Sequence, residues 1–167
     1  GDNYADAKQH CDELQQTTSL VLVPPFDDPL VIAGQGTIGD ELLRQSHRSL
    51  DAVFVAVGGG GLITGIASYI KTLMPGVRII GVEPEGAPTM RTALDAGQPI
   101  ALTSIKTIAD GLAGPIAGTR GLDICQRLVE DVIVISDELI AEGMRFLAER
   151  AKLVAEPAGA AATAALL

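Results

Sequence analysis

A chain of 167 residues with 47% hydrophobic content and a mean hydropathy of +0.32 has enough apolar material for one ordinary domain, or a large part of a larger one, and is not a disordered chain. Its net charge of -9 argues against nucleic acid or an anionic membrane as partner, but is compatible with a small anion held by backbone amides. Two cysteines without C-x-x-C spacing and 2 histidines exclude a disulfide framework and a metal constellation; with no leader and no membrane-length apolar run, the expectation is a soluble, cytoplasmic protein.

Tyr4 to Gln16 has helical periodicity, with Asp2 or Asn3 as cap and Tyr4, Ala7, Cys11 and Leu14 along one side. Leu20 to Val23 predicts a strand that Pro24 and Pro25 terminate. Phe26 to Gly36 reads as a loop, and Thr37 is placed to cap a helix from Ile38 to Arg48, with Asp40 and Glu41 in its first turn and Arg44 and Arg48 later. The glycine-flanked helix start at Gly34-Gln35-Gly36-Thr37 is a candidate wall of a pocket.

Ala52 to Val57 is an unbroken apolar run, the pattern of a strand buried on both faces. It ends at Gly58, Gly59, Gly60 and Gly61, and from Leu62 to Leu73 the apolar residues recur at helical spacing. Val77 to Val82 is the next strand, closed by Glu83, so the unit reads as a right-handed βαβ crossover. Successive glycines let a backbone take positive φ and approach a ligand, and a helix start leaves amide N–H groups free. Together these make an anion cradle from Gly58 to Leu62. A dinucleotide site would also place an acid near Glu83, but only the frame Gly60, Leu62, Gly65 approaches G-x-G-x-x-G, and Leu62 breaks it. A single phosphate, as on pyridoxal phosphate, needs only the cradle.

Ala87 to Ala96 predicts a helix. Ile108 to Gly114 is too apolar for a linker and too rich in glycine for a regular element; it reads as a buried loop, either beside a ligand or simply packed. Thr119 to Val129 is a helix, Val132 to Ile135 a strand, Asp137 to Ala151 a helix capped by Ser136, and Pro157 opens a last helix over residues 158–167. Alternating strands and helices imply an open α/β fold, a mostly parallel sheet with helices on both faces and ligands beyond the carboxyl ends of the strands.

Several segments in this order, Pro25-Phe26-Asp27-Asp28-Pro29, Ile32-Ala33-Gly34-Gln35-Gly36-Thr37, Gly58 to Leu62, Gly81-Val82-Glu83-Pro84, Thr107 to Gly111 and Ala155-Glu156-Pro157-Ala158-Gly159-Ala160, resemble the threonine dehydratase and serine racemase family. The resemblance runs over nearly the whole chain. It implies a fold-type II pyridoxal-phosphate enzyme whose glycine loop holds the cofactor phosphate, acting on an amino-acid substrate, with residues 1–30 matching the end of the family's small domain and 31–167 its large domain. It also implies that the cofactor-bearing lysine, in a Ser-x-Lys segment, and the loop gripping the substrate carboxylate precede the point matched by Gly1. The contact to the pyridine nitrogen falls after the point matched by Leu167.

By that resemblance, no catalytic residue is expected in this chain. Ser104-Ile105-Lys106 imitates the Ser-x-Lys pattern but falls just before Thr107 to Gly111, where the family has a loop. Lys8, Lys71 and Lys152 are expected as solvated surface charges. A cation site at Glu83 and the Ala87 carbonyl is implied as well, although Thr89 stands where the racemases have an acid. The leading expectation is therefore a threonine dehydratase-like chain that retains the phosphate cradle without activity of its own. The alternatives are a non-catalytic binding or assembly module and a nicotinamide-dinucleotide domain; exposed sheet edges point to a homo-oligomer.

Overall fold

A computed structural model describes residues 4–167. Helix α1 spans Tyr4–Thr17, α2 Pro29–Gln45, strand β1 Ala52–Ala56, α3 Gly61–Leu73, β2 Arg78–Pro84, α4 Thr89–Ala96, α5 Thr119–Leu128, β3 Asp131–Ile135, α6 Asp137–Phe146 and α7 Pro157–Ala164. The strands form one parallel sheet in the order β1-β2-β3, with Ala52 opposite Arg78 and Ile80 opposite Asp131. Alternate residues of each strand feed two cores. Val55, Val57, Ile79 and Val132 pack under α3, α4 and α5, whereas Phe54, Ala56, Val82 and Ile133 pack under α6 and α7. The open α/β arrangement with helices on both faces is thus the observed one, and the loops at the carboxyl ends of the strands gather at one rim.

Two elements differ from the sequence expectation. Leu20 to Val23 pairs with no strand among the described residues, and its side chains stand in solvent, Val21 at 86% exposure. A β-rich run becomes a strand only where a neighbour supplies the ladder. The second difference is the start of α2. Asp28 caps it, its Oδ1 accepting from Leu30 N–H at 2.9 Å and Val31 N–H at 3.2 Å, with Pro29 in the first turn. Gly34, Gly36 and Thr37 are therefore inside the helix, and the stretch contributes to the wall of the cleft beside Gly58 to Leu62 through Gln35 as part of α2, with Ile38 next to it; the Thr37 hydroxyl donates to the Gly34 carbonyl at 2.7 Å. Asp40, well past the first turn, pairs with Arg44 and accepts the Tyr69 hydroxyl of α3 at 2.7 Å, and Arg48 lies beyond the helix.

Tertiary packing offsets the poor helix propensity of those glycines. The α2 and α3 backbones approach so closely that a Cβ on Gly65 would stand 2.4 Å from the Ile32 carbonyl oxygen and 2.7 Å from the Gly36 nitrogen. The remaining boundaries move slightly: α4 begins at Thr89 instead of Ala87, and α6 ends at Phe146, followed by a π turn at Leu147–Ala151 that carries the chain to Lys152 at φ 59. Caps at Asp2 or Asn3 lie outside the described residues. In α1, Ala7, Cys11 and Leu14 remain exposed.

Because Gly65 meets backbone while Gly34 has nothing within 4 Å of its virtual Cβ, the two sites make a paired test. Gly65→Ala should destabilise the chain by about 1–3 kcal/mol through overpacking. Gly34→Ala should stabilise it by roughly 0.5–1 kcal/mol through helix propensity. Urea unfolding of both variants checks the signs.

Candidate functional site

The residues from Gly58 to Leu62 join β1 to α3 at the carboxyl rim of the sheet. Gly60 takes φ 93, a left-handed conformation that makes the reversal from strand to helix within a few residues, and it stands at the N-cap of α3. Among the described residues, none of the amide N–H groups of Gly58 to Leu62 donates to another protein group. Carbonyls in the same stretch are used: Gly59 O accepts from Gly118 N–H at 3.2 Å, and Gly60 O accepts from Thr64 N–H at 3.1 Å and from the Thr64 hydroxyl at 2.8 Å. The loop is therefore anchored through its acceptors while its donors stay available.

Packing explains why side chains are absent. A Cβ on Gly59 would lie 2.4 Å from the Phe26 ring, and one on Gly60 2.8 Å from the Met90 methyl. Free donors at the positive end of a thirteen-residue helix, bordering an open cleft, fit a phosphate group. The loop borders a cleft of about 1620 Å³ whose other walls include Phe26, Leu112, Lys106, Asp110 and Glu156. Of Ile108 to Gly114, read from sequence as a buried loop, the part from Asp110 to Gly114 lines this cleft, with a single 3₁₀ turn at Asp110–Leu112; Ala109 and Leu112 are buried, whereas Ile108, Asp110 and Gly111 are exposed.

Glu83 is fully buried, and its carboxylate accepts from the N–H groups of Met90 at 2.7 Å and Arg91 at 2.9 Å. It thus serves as the N-terminal cap of α4, whose own N-cap residue, Pro88, has no side chain to do so. Burial pushes its carboxyl up to about 7, although the Met90 and Arg91 amides and the Arg91 guanidinium pull the other way. The Ala87 carbonyl accepts from Thr89 N–H at 2.9 Å, and the Thr89 hydroxyl donates to Gly114 O at 2.9 Å. Each Glu83 oxygen accepts one helix amide and no group of three His, Cys, Asp or Glu side chains converges among the described residues, so a cation at Glu83 and the Ala87 carbonyl would take its remaining ligands from backbone carbonyls and water.

Lys106 is exposed and lines the cleft, its backbone N–H bonded to Gly86 O at 3.0 Å. Lys8 is exposed beside Asp12, and Lys152 donates to Glu149 O at 2.7 Å. Lys71 differs from the expected solvated charge: its side chain is only 13% exposed and pairs with Glu130, which also accepts Ile79 N–H at 2.6 Å. Cys125 is buried, and burial pushes its thiol up to about 12, so it is not a nucleophile.

The whole chain, residues 1–167, matches the family described as "Pyridoxal-phosphate dependent enzyme". The chain belongs to that family. The chain is 44% identical over 166 residues to the biosynthetic L-threonine dehydratase of Escherichia coli, an alignment covering 99% of this chain and 32% of the relative. Its fold matches threonine deaminase isoform 2 of Solanum lycopersicum with a TM-score of 0.93 and 39% identity, over 98% of this chain and 45% of that one. Maize serine racemase matches with a TM-score of 0.92 and 37% identity, over 98% and 51%. The chain thus spans about a third of the length of the curated relative, and the family and its relatives depend on pyridoxal phosphate. No helix among the described residues is long and apolar enough to cross a membrane.

Glu83 gives a pH test. Its folded value lies above the ordinary 4.5, so the stability it contributes is complete below about 4.5 and is lost as pH rises toward 7. The unfolding free energy of the wild type relative to Glu83→Gln should accordingly fall by on the order of 2–3 kcal/mol across that window and be flat above it. Denaturant titrations at stepped pH measure this difference, and a difference that grows with pH contradicts it.

Proposed function

We propose that this chain supplies the cofactor-phosphate cradle, and the part of the substrate cleft around it, of a threonine dehydratase-like enzyme that acts on threonine or serine, and that by itself it is not catalytic. The observation that carries the reading is the set of unpaired amides from Gly58 to Leu62 at the start of α3, beside the cleft. When bound, pyridoxal phosphate supplies an electron sink for cleavage of bonds at the α-carbon of an amino acid. Gly58, Gly59, Gly60, Gly61 and Leu62 would hold its phosphate, each charge-assisted bond contributing roughly 1.5–3 kcal/mol. Phe26 stands against Gly59 and Leu112 against Gly58, and both line the cleft beside the loop. The cation chemistry on offer is poor: Lys8, Lys71 and Lys152 lie away from the cleft lining, and Lys106 is exposed at its wall.

A dinucleotide site is the weaker reading, because the acid that would take the ribose hydroxyls, Glu83, is buried and committed to the α4 amides. A non-catalytic assembly module completed by another chain is supported by the exposed Leu20 to Val23 ribbon and by the outer edge of β1, which is paired on one side only.

Equilibrium dialysis tests the leading reading. The chain should retain pyridoxal phosphate, release it to excess inorganic phosphate, and retain pyridoxal far more weakly. Gly60→Val, which forces a β-branched side chain into φ 93, should abolish retention while circular dichroism shows a folded chain. Ammonia release from threonine or serine should not exceed the no-protein control. Equal retention of pyridoxal and its phosphate ester contradicts the cradle; turnover lost on Lys106→Ala contradicts the absence of catalysis.

A further inference from the structure

Asp27 is one of two non-glycine residues at positive φ among the described residues, at 59. Such a backbone persists where the surroundings over-determine it. Here the side chain reaches across the fold: its Oδ1 accepts from Gly121 N–H at 2.9 Å, a partner 94 positions away. The same oxygen stands 2.4 Å from where a Cβ on Gly118 would be, so the carboxylate is seated on the opening turn of α5. Helix α5 has Gly118 as its N-cap and no side-chain cap of its own. That turn in turn abuts the cradle. Gly118 N–H donates to Gly59 O, and the Cβ position of Gly121 is 3.5 Å from Gly59 O and 3.8 Å from the Gly60 Cα. On either side of Asp27, Phe26 covers Gly59, and Asp28 caps α2.

We propose that Asp27 is a positioning residue for the anion cradle: by holding the α5 N-terminus against the Gly59 and Gly60 backbone, it fixes the loop whose unpaired amides border the cleft. The proposal rests on the cradle reading above. The requirement is geometric, an acceptor oxygen at one point on a left-handed backbone. Asparagine meets that requirement, since it tolerates positive φ and keeps Oδ1. Glycine tolerates the backbone but supplies no acceptor, and glutamate keeps the charge but carries the oxygen one methylene too far.

The test uses the full 167-residue chain with pyridoxal phosphate and, separately, inorganic phosphate as probes. Asp27→Gly and Asp27→Glu should weaken retention of both probes roughly tenfold, the equivalent of losing one cap-strength hydrogen bond, while Asp27→Asn stays within about twofold of the wild type. Amide hydrogen exchange of Gly118 and Thr64, whose N–H groups donate to Gly59 O and Gly60 O, should quicken in Asp27→Gly and Asp27→Glu and return to the wild-type rate in Asp27→Asn. Wild-type affinity and exchange in Asp27→Gly would overturn the proposal, and so would Asp27→Asn behaving as Asp27→Gly does, because the charge and not the placed acceptor would then matter. If the wild type binds neither probe, the cradle reading fails, and the exchange rates alone decide whether Asp27 orders the loop. Should Asp27→Gly not fold, the contrast between Asp27→Glu and Asp27→Asn carries the same decision.

Discussion

The change of direction between β1 and α3 governs the rest of this structure. A buried parallel strand has to become a helix that packs back over the sheet, and the chain makes that change through Gly60 in a left-handed conformation that few other residues adopt. Once the turn is made this way, the amides that follow have no backbone partners, and the neighbouring elements come in close over the missing side chains. Phe26 packs on Gly59, Met90 on Gly60 and the first turn of α5 on both. The loop is therefore held by its carbonyls and by van der Waals contact, which leaves its donors unused. The same local economy that folds the βαβ unit produces an anion site.

Acids in this chain do structural work at a distance. Asp28 caps its own helix, but Asp27 caps α5 and Glu83 caps α4, each from another element. Both α4 and α5 lack a side-chain cap at their own N-cap residues, Pro88 and Gly118. The net charge of -9 accordingly overstates the negative surface the chain presents, since some of that charge is committed to helix N-termini inside the fold. An acidic protein can still offer a site to a phosphate, because the site is made of amides and a helix dipole, although Asp110 and Glu156 line the same cleft.

The parts of the fold and site that were legible in sequence are those set by local periodicity and by glycine clustering. Ala52 to Val57, the glycine run, the α3 pattern and the strand through Val82 each specify themselves within a few residues, and they were read at nearly their observed bounds. Leu20 to Val23 was misread because strand formation depends on a neighbour that no local pattern reports. The start of α2 was placed late because Gly34 and Gly36 look like punctuation, whereas their role is to let α3 approach through Gly65. Asp27 and Glu83 could not be recognised as caps, since a hydrogen bond spanning 94 positions leaves no spacing signal; the one hint was that neither Pro88 nor Gly118 can cap the helix it precedes.

The central claim is that backbone amides at the β1–α3 junction form the anion site. A ¹⁵N–¹H correlation titration of the chain with inorganic phosphate tests it most directly. The account predicts saturable downfield movement of the Gly59, Gly60, Gly61 and Leu62 amide protons, with the N-termini of α2 and α6 unmoved because Asp28 and Ser136 already occupy them. Shifts confined to other helix starts, or a titration in which the glycine-loop amides stay fixed at saturating phosphate, would contradict it.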